Sequence, residues 1–192
     1  MCVSMSCMIP VTTRSHPSAA VRYPREIAAA VTLPAACAAL VAPGRGRLPR
    51  AASIAVLTAC GALAPRFALV AFLTAADHRD PRTVTAFDPF RDPTPPALCG
   101  FGPEPDRGRL RTAGDRCADA WRSWRAEDLS ADTAAGAAGA LALASWCSWA
   151  LGSAARAQTR AQYALDTRAD DPLAALVLRS VRAGSGPAWE RR

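Results

Sequence analysis

One short cluster in the chain groups side chains that could exchange protons with a substrate. Residues 77–80, Asp-His-Arg-Asp, place the imidazole of His78 between two carboxylates, which general acid–base catalysis could use. The other histidine, His16, is distant in the sequence, and no nucleophile motif such as Gly-x-Ser-x-Gly accompanies the cluster. We therefore interpret residues 77–80 as a solvated loop, and the sequence predicts no catalytic residue.

Cysteine is the second residue type whose spacing could indicate chemistry. The chain has 7 cysteines but no Cys-x-x-Cys pair and no Cys/His cluster of the kind that binds zinc. Several lie inside apolar runs, where a cysteine acts as a small hydrophobic residue. We expect reduced thiols in a cytoplasmic protein, without a metal site or a cofactor. The cysteines are Cys2, Cys7, Cys37, Cys60, Cys99, Cys117 and Cys147.

Aromatic residues near the C-terminus form the best candidate for a binding surface. Trp121 and Trp124 are three positions apart in the sequence. The same spacing separates Trp146 from Trp149, and residues so spaced share one face of a helix. Together with Tyr163 they could line a groove for a peptide or an apolar ligand. Burial in the core is the commoner outcome for such residues, and both interpretations remain open at this point.

Helix signals are clearest in the last part of the chain. A proline-free, alanine-rich run ends at Gly152, a residue type that commonly terminates a helix. Asp171 can cap a later helix, with Pro172 at the first helical position, where a missing amide has no cost. We predict four antiparallel helices within residues 115–192, the first of them over residues 115–128.

This stretch resembles a known bacterial family. The shared features are a tryptophan-bearing helix, a glycine turn, an alanine-rich helix, an Asp-Pro turn, a leucine-rich helix and an Ala-Gly-x-x-Pro ending. They fall at Trp149, Gly152, Ala164-Leu165, Asp171-Pro172, Leu173 to Leu178, and Ala183 to Pro187. The pattern is similar to the actinobacterial family called domain of unknown function 4192, over about the last 75 residues. The resemblance implies a helical fold and a lineage, and no activity.

Charge is unevenly distributed along the chain. All 23 basic side chains are arginines, and the net charge is +7. Most of that excess belongs to residues 1–76, which contain Glu26 as their single acid. Attraction to nucleic acid or to an anionic membrane would therefore begin at the N-terminal part. The composition is typical of a GC-rich bacterial genome, and a solvated basic segment is the interpretation that we favour.

The first 114 residues divide into three parts by composition. We predict a disordered tail over residues 1–24, an alanine-rich apolar helical region over residues 25–76, and a linker rich in Pro, Asp and Gly over residues 77–114. The basic loop at residues 43–50 could contact phosphate. It has neither a preceding strand nor a Gly-Lys-Ser/Thr sequence, so we interpret it as an exposed connector.

The most apolar stretch, residues 51–76, is long enough to cross a membrane. Its centre contains Pro65 and Arg66, and a charge is most costly at that depth. Two short helices of a soluble protein, joined at Pro65, fit this stretch better.

Taken together, the sequence predicts an all-α protein with a C-terminal antiparallel bundle that contains a tetratricopeptide-like hairpin. We interpret the chain as a non-enzymatic interaction module that binds another protein through its tryptophan-bearing face. The alternatives are an accessory part or remnant of an enzyme, or an arginine-rich protein that associates with nucleic acid or with a membrane. We favour neither nucleic acid nor membrane as a partner.

Overall fold

The computed structural model of the protein describes residues 22–44, 46–77, 79–127 and 133–191. All regular secondary structure within these ranges is helical, so the all-α prediction is confirmed, and the tetratricopeptide-like hairpin stays a prediction. The α-helices are α1 (Arg22–Val41), α2 (Arg50–Cys60), α3 (Leu63–Thr74), α4 (Arg107–Ala126), α5 (Ala134–Ala150), α6 (Ala154–Thr167) and α7 (Pro172–Arg182).

Helix α5 lies at the centre of the bundle. Its sequence is apolar around the whole circumference, and such a helix has to be covered on every side. Residues 135–150 are all buried, and helices α2, α4, α6 and α7 pack against them. The hydroxyls of Ser145 and Ser148 donate to carbonyl oxygens of α5 itself, at 2.7 and 3.0 Å, so these two side chains remain satisfied without solvent.

Two glycines of α5 let α2 approach at backbone distance. A Cβ atom added at Gly136 would lie 2.3 Å from the carbonyl oxygen of Leu57. One added at Gly139 would lie 2.0 Å from the carbonyl oxygen of Cys60. Neither carbonyl can move without distorting α2, so this helix pair requires glycine at both positions.

Replacing Gly139 by Ala should therefore destabilise the fold. We expect the free energy of unfolding to fall by about 1–3 kcal/mol or more, because the added methyl group overpacks the contact between α2 and α5. Urea unfolding followed by circular dichroism measures this change. Gly46→Ala is the matched control, since a Cβ atom there meets nothing within 4 Å. Equal stability of the two variants would contradict the proposed helix contact.

A buried ion pair joins α3 to the start of α7. Arg66 Nη1 donates to Asp171 Oδ2 at 2.7 Å, and the two side chains are 3% and 0% exposed. Asp171 Oδ1 accepts from the backbone amides of Leu173 and Ala174, at 3.1 and 3.0 Å, so the same carboxylate caps α7. The free-energy cost of removing this carboxylate from water is offset by the hydrogen bonds from these three donors.

The variant Asp171→Asn separates the two roles of this carboxylate, because it keeps a capping oxygen and removes the charge. We expect the free energy of unfolding to fall by about 3–5 kcal/mol, since Arg66 is left as an uncompensated charge in the core. Chemical denaturation is the measurement. The double variant with Arg66→Met removes both charges and should be more stable than Asp171→Asn alone; no recovery in the double variant would count against the ion pair.

Parts of the segment between α3 and α4 pack on the helices, although most of its described residues are exposed. They contain 3₁₀ turns at Pro81–Thr83 and Pro96–Cys99. Phe87 meets Phe67 of α3 edge to face, with 5.3 Å between ring centroids, and Leu98 is buried. The predicted linker is therefore anchored to the core at a few positions, Phe87 and Leu98 among them.

Several predicted helix boundaries differ from the observed ones. Helix α4 begins at Arg107, inside the predicted linker, because Asp106 accepts from the backbone amide of Arg109 and caps the helix there. The break between α2 and α3 falls at Gly61, ahead of Pro65, which lies in the first turn of α3. Residues 1–21, most of the predicted tail, lie outside the described residues.

Candidate interaction surface

The structure places most of the predicted tryptophan face inside the core. Trp146 is fully buried, while Trp149 and Trp121 are only 6% and 9% exposed. Trp124 is half-buried, and Tyr163 is 46% exposed. A partner would meet little more than Tyr163 and an edge of Trp124, so the five aromatics do not form an accessible face in this structure.

Two of the inward-facing indoles satisfy their N–H groups, whereas Nε1 of the fully buried Trp146 has no hydrogen-bond partner among the described residues. Trp121 Nε1 donates to Thr167 Oγ1 at 3.1 Å, and Trp149 Nε1 donates to the carbonyl oxygen of Ser185 at 2.8 Å. The rings of Trp121 and Tyr163 are brought together, with 5.7 Å between centroids. Trp121 thus connects α4 to the end of α6, and Trp149 connects α5 to the turn after α7.

The Asp-His-Arg-Asp sequence does not form a site in the described residues. Asp77 and Arg79 pair with each other at 3.1 Å, and their side chains are 68% and 60% exposed. His78 lies outside the described residues. No group of three or more His, Cys, Asp or Glu side chains in the part of the chain that the structure describes could hold a metal ion.

Four of the five cysteines in the described residues belong to the core. Cys37, Cys60, Cys117 and Cys147 are buried, whereas Cys99 is exposed. Burial raises the pKa of Cys37 and of Cys147 to about 12. The pKa of Cys117 is also raised, first by its hydrogen bond with Cys60 and then by burial. These thiols hold their protons at neutral pH and are poor nucleophiles.

Thiol labelling of the native protein should therefore single out Cys99 among the five described cysteines. With a maleimide at pH 7 to 9, we expect fast modification at Cys99 and protection at Cys37, Cys117 and Cys147 until denaturant is added. Mass spectrometry of the digested protein locates each label. Modification of Cys147 that accelerates through this pH range, without unfolding, would contradict its raised pKa.

An exposed apolar surface instead follows the outer side of α1 and α2. Ile27 and Val31 of α1 are 61% and 74% exposed, and Ile54 of α2 is 53% exposed. The stripe on α1 continues at helical spacing through small residues. We define the α1–α2 face as Ile27, Val31, Ala35 and Ala38 of α1, Ala42 directly after α1, and Ala51, Ile54 and Ala55 of α2.

Two cavities follow the seam between these antiparallel helices. One of about 620 Å³ lies beside Ala38 of α1 and Ala51 of α2. Another of about 210 Å³ lies beside Ala28 and Ile54. Alanines of both helices line the larger cavity, whereas the smaller one is also lined by Thr133 and Gly136. The groove between α1 and α2 is therefore the larger cavity.

The charged groups at one end of this groove are mainly basic. The side chains of Arg47 and Arg50 are 79% and 78% exposed. Arg50 lies 3.5 Å from Glu127, and Arg47 lies 3.8 Å from Asp119. Glu26 of α1 is the single acid in residues 22–60. The segment that carries the α1–α2 face is therefore net positive, while Asp119 and Glu127 from outside it lie near Arg47 and Arg50.

The sequence contains a signal for this face, but the sequence-based prediction favoured the tryptophans. Helix α1 has two apolar stripes, one with Leu33, Cys37 and Leu40 in the core, and one with Ile27 and Val31 in solvent. Periodicity reveals both stripes. It does not tell which of them the rest of the chain covers, because that depends on contacts with α2 and α4.

Helix α1 also meets a length and composition criterion for membrane spans. Its residues 24–41 are apolar enough to cross a bilayer, and 33% of them are buried within the fold. Helices α2 and α3 meet the criterion only as a pair, and they are bent by 112° relative to each other. Both findings concern the described residues.

Comparison of the chain with protein-family models, with curated proteins and with solved structures finds no match.

Proposed function

We propose that the protein is a non-enzymatic helical interaction module of the bacterial cytoplasm, and that the α1–α2 face is its contact surface. The occupant that fits this face is an amphipathic helix of another protein, with acidic residues beside its apolar stripe. The observation that carries the proposal is the joint exposure of Ile27, Val31 and Ile54 on adjacent helices.

The energetic argument concerns these three large side chains. Each one contributes about 1.5–3 kcal/mol when it moves from water into an apolar contact. Contiguous exposed apolar surface is typical of interaction sites, whereas scattered single residues are not. Ile54 lines the smaller cavity and the alanines of the face line the larger one. Ile27 and Val31 lie on the same side of α1 as Ala35 and Ala38 by helical spacing, so the apolar residues of α1 form one stripe.

Shape favours a helix as the occupant. A helix binds a groove through apolar residues at i, i+3, i+4 and i+7, and small residues in the groove let it approach closely. Ala38, Ala51 and Ala55 provide such a floor, because all three line the larger cavity.

Charge favours an acidic partner. Arg47 and Arg50 lie at the end of the groove and extend into solvent. Opposite charges beside an apolar contact raise the association rate and exclude partners of like charge. An acidic amphipathic helix satisfies both features of this surface, whereas a basic helix satisfies only the apolar one.

The test measures binding of two synthetic amphipathic helices with the same leucine stripe, flanked either by glutamate or by lysine. We expect the full-length protein to prefer the glutamate peptide in fluorescence anisotropy. Val31→Glu combined with Ile54→Glu should weaken this binding at least about tenfold, because a charge then occupies the apolar contact. Phe90→Glu is the control, since Phe90 is 95% exposed outside the face.

Three outcomes would overturn the proposal. The first is equal loss of binding in the Phe90→Glu control, and the second is preference for the lysine peptide. The third is a different occupant of the same face. Vesicle binding that Val31→Glu abolishes, or dimerisation in analytical ultracentrifugation that Val31→Glu abolishes, would assign the face to a membrane or to a second copy.

A further inference from the structure

A second concave region lies on the other side of α4. It is a cavity of about 560 Å³ between the loop after α1 and the outer surface of α4. We define the α4 cleft by Gly44, Gly46 and Arg47 of the loop with Arg111, Thr112 and Arg116 of α4. Asp115, Asp119 and Arg122 also line it. The cleft adjoins the larger cavity beside α1 and α2, with which it shares Gly44, Gly46, Arg47 and Arg116, and none of the tryptophans lines it.

Arg116 fixes the loop that forms one wall of the cleft. This side chain is buried, and its guanidinium donates to the carbonyl oxygen of Ala39 at 2.6 Å and to that of Gly44 at 2.9 Å. Both acceptors are neutral, and no ion pair to Arg116 occurs among the described residues. The wall of the cleft therefore carries a positive charge that no carboxylate offsets.

Arg111 provides a second cation without a counter-charge. It is exposed, and it has no hydrogen bond or ion pair within the described ranges. The carboxylate one helical turn away, Asp115, already accepts from Arg160 of α6 at 2.8 Å. The remaining acid, Asp119, pairs with Arg122 at 3.1 Å and accepts from the backbone amide of Leu48 at 3.2 Å.

The loop wall leaves room for a ligand at backbone distance. A Cβ atom added at Gly44 or at Gly46 would meet nothing within 4 Å. Gly44 has φ of +102°, a conformation that side chains other than glycine rarely adopt. Backbone amides in such a loop and arginine side chains are the groups that bind phosphate oxygens in proteins.

A smaller cavity of about 260 Å³ continues the cleft toward α6. It shares Arg111 and Asp115 with the cleft and adds Arg156 and Arg160. Arg156 is exposed and is likewise unpaired in the part of the chain that the structure describes. Arg111 thus lies between two basic concavities, an arrangement that suits a ligand with more than one phosphate group.

We propose that the α4 cleft binds a small molecule that carries a diphosphate group, with Arg111 and Thr112 as contact residues and Arg116 as the residue that positions the loop. Inorganic phosphate shares this chemistry at a lower charge, and the test compares it with pyrophosphate. A single-stranded RNA is the competing explanation for a basic surface, and it enters as an outcome.

The probes are pyrophosphate and inorganic phosphate, titrated calorimetrically into the full-length protein at constant ionic strength. We expect saturable binding of pyrophosphate at one site, and weaker binding of phosphate. The variant Gly46→Asp adds a carboxylate to the cleft at a position with free space, and it should weaken pyrophosphate at least about tenfold. Arg111→Met should weaken it to a similar extent.

A matched control distinguishes binding at the cleft from a general effect of the protein's charge. Gly186→Asp also adds a carboxylate where a Cβ atom meets nothing within 4 Å, far from the cleft in sequence. It should leave pyrophosphate affinity within about twofold of the parent protein. Equal loss in both aspartate variants, or no saturable binding of pyrophosphate at all, would overturn the proposal.

Binding of RNA is the remaining outcome to measure. A single-stranded oligonucleotide should bind this protein more weakly than pyrophosphate at physiological salt, and insensitively to Gly46→Asp. Tight RNA binding with a steep salt dependence, weakened equally by Arg111→Met and by Arg182→Met on α7, would identify a non-specific polyanion surface and would exclude the cleft as a diphosphate site.

Discussion

A fully buried carboxylate is tolerated only where every lone pair that water would have satisfied finds another donor, and Asp171 meets this constraint with groups from two parts of the chain. Leu173 and Ala174 donate from its own helix, and Arg66 donates from α3. The start of α7 and the position of α3 are therefore set by the same three bonds. The buried core that surrounds them extends from Leu33 to Trp189 without interruption between the two halves.

Local signals in the sequence were sufficient for part of this arrangement. The Asp171-Pro172 pair predicted the start of α7, and Gly152, with φ of +75°, predicted the end of α5, because capping depends on residues within one turn. The partner of Asp171 was beyond reach, since Arg66 lies 105 positions away in the sequence. From the sequence alone, Arg66 indicated only that the apolar stretch around it does not favour a membrane span.

The aromatic residues show that sequence spacing also does not tell which side chains are exposed. Spacing placed Trp146 and Trp149 correctly on one helix, and it could not tell that α5 would be covered on all sides. The α1 helix presents the opposite case, because its second apolar stripe remains in solvent while the tryptophans do not. Which apolar residues stay exposed depends on which helices pack against one another. A short stretch of sequence does not contain that information. The resemblance to an actinobacterial family stays an expectation.

The glycines of α5 have a consequence for synthesis on the ribosome. Helix α2 needs the surface of Gly136 and Gly139 to cover its Leu57 and Cys60, and that surface is translated after α3, the loop segment and α4. At about 5–20 residues per second, the N-terminal helices spend several seconds without their central neighbour. During that interval their inner apolar surfaces are available to chaperones or to other nascent chains. The core around α2 therefore cannot form until α5 has left the ribosome, and early termination before α5 would release helices with no central partner.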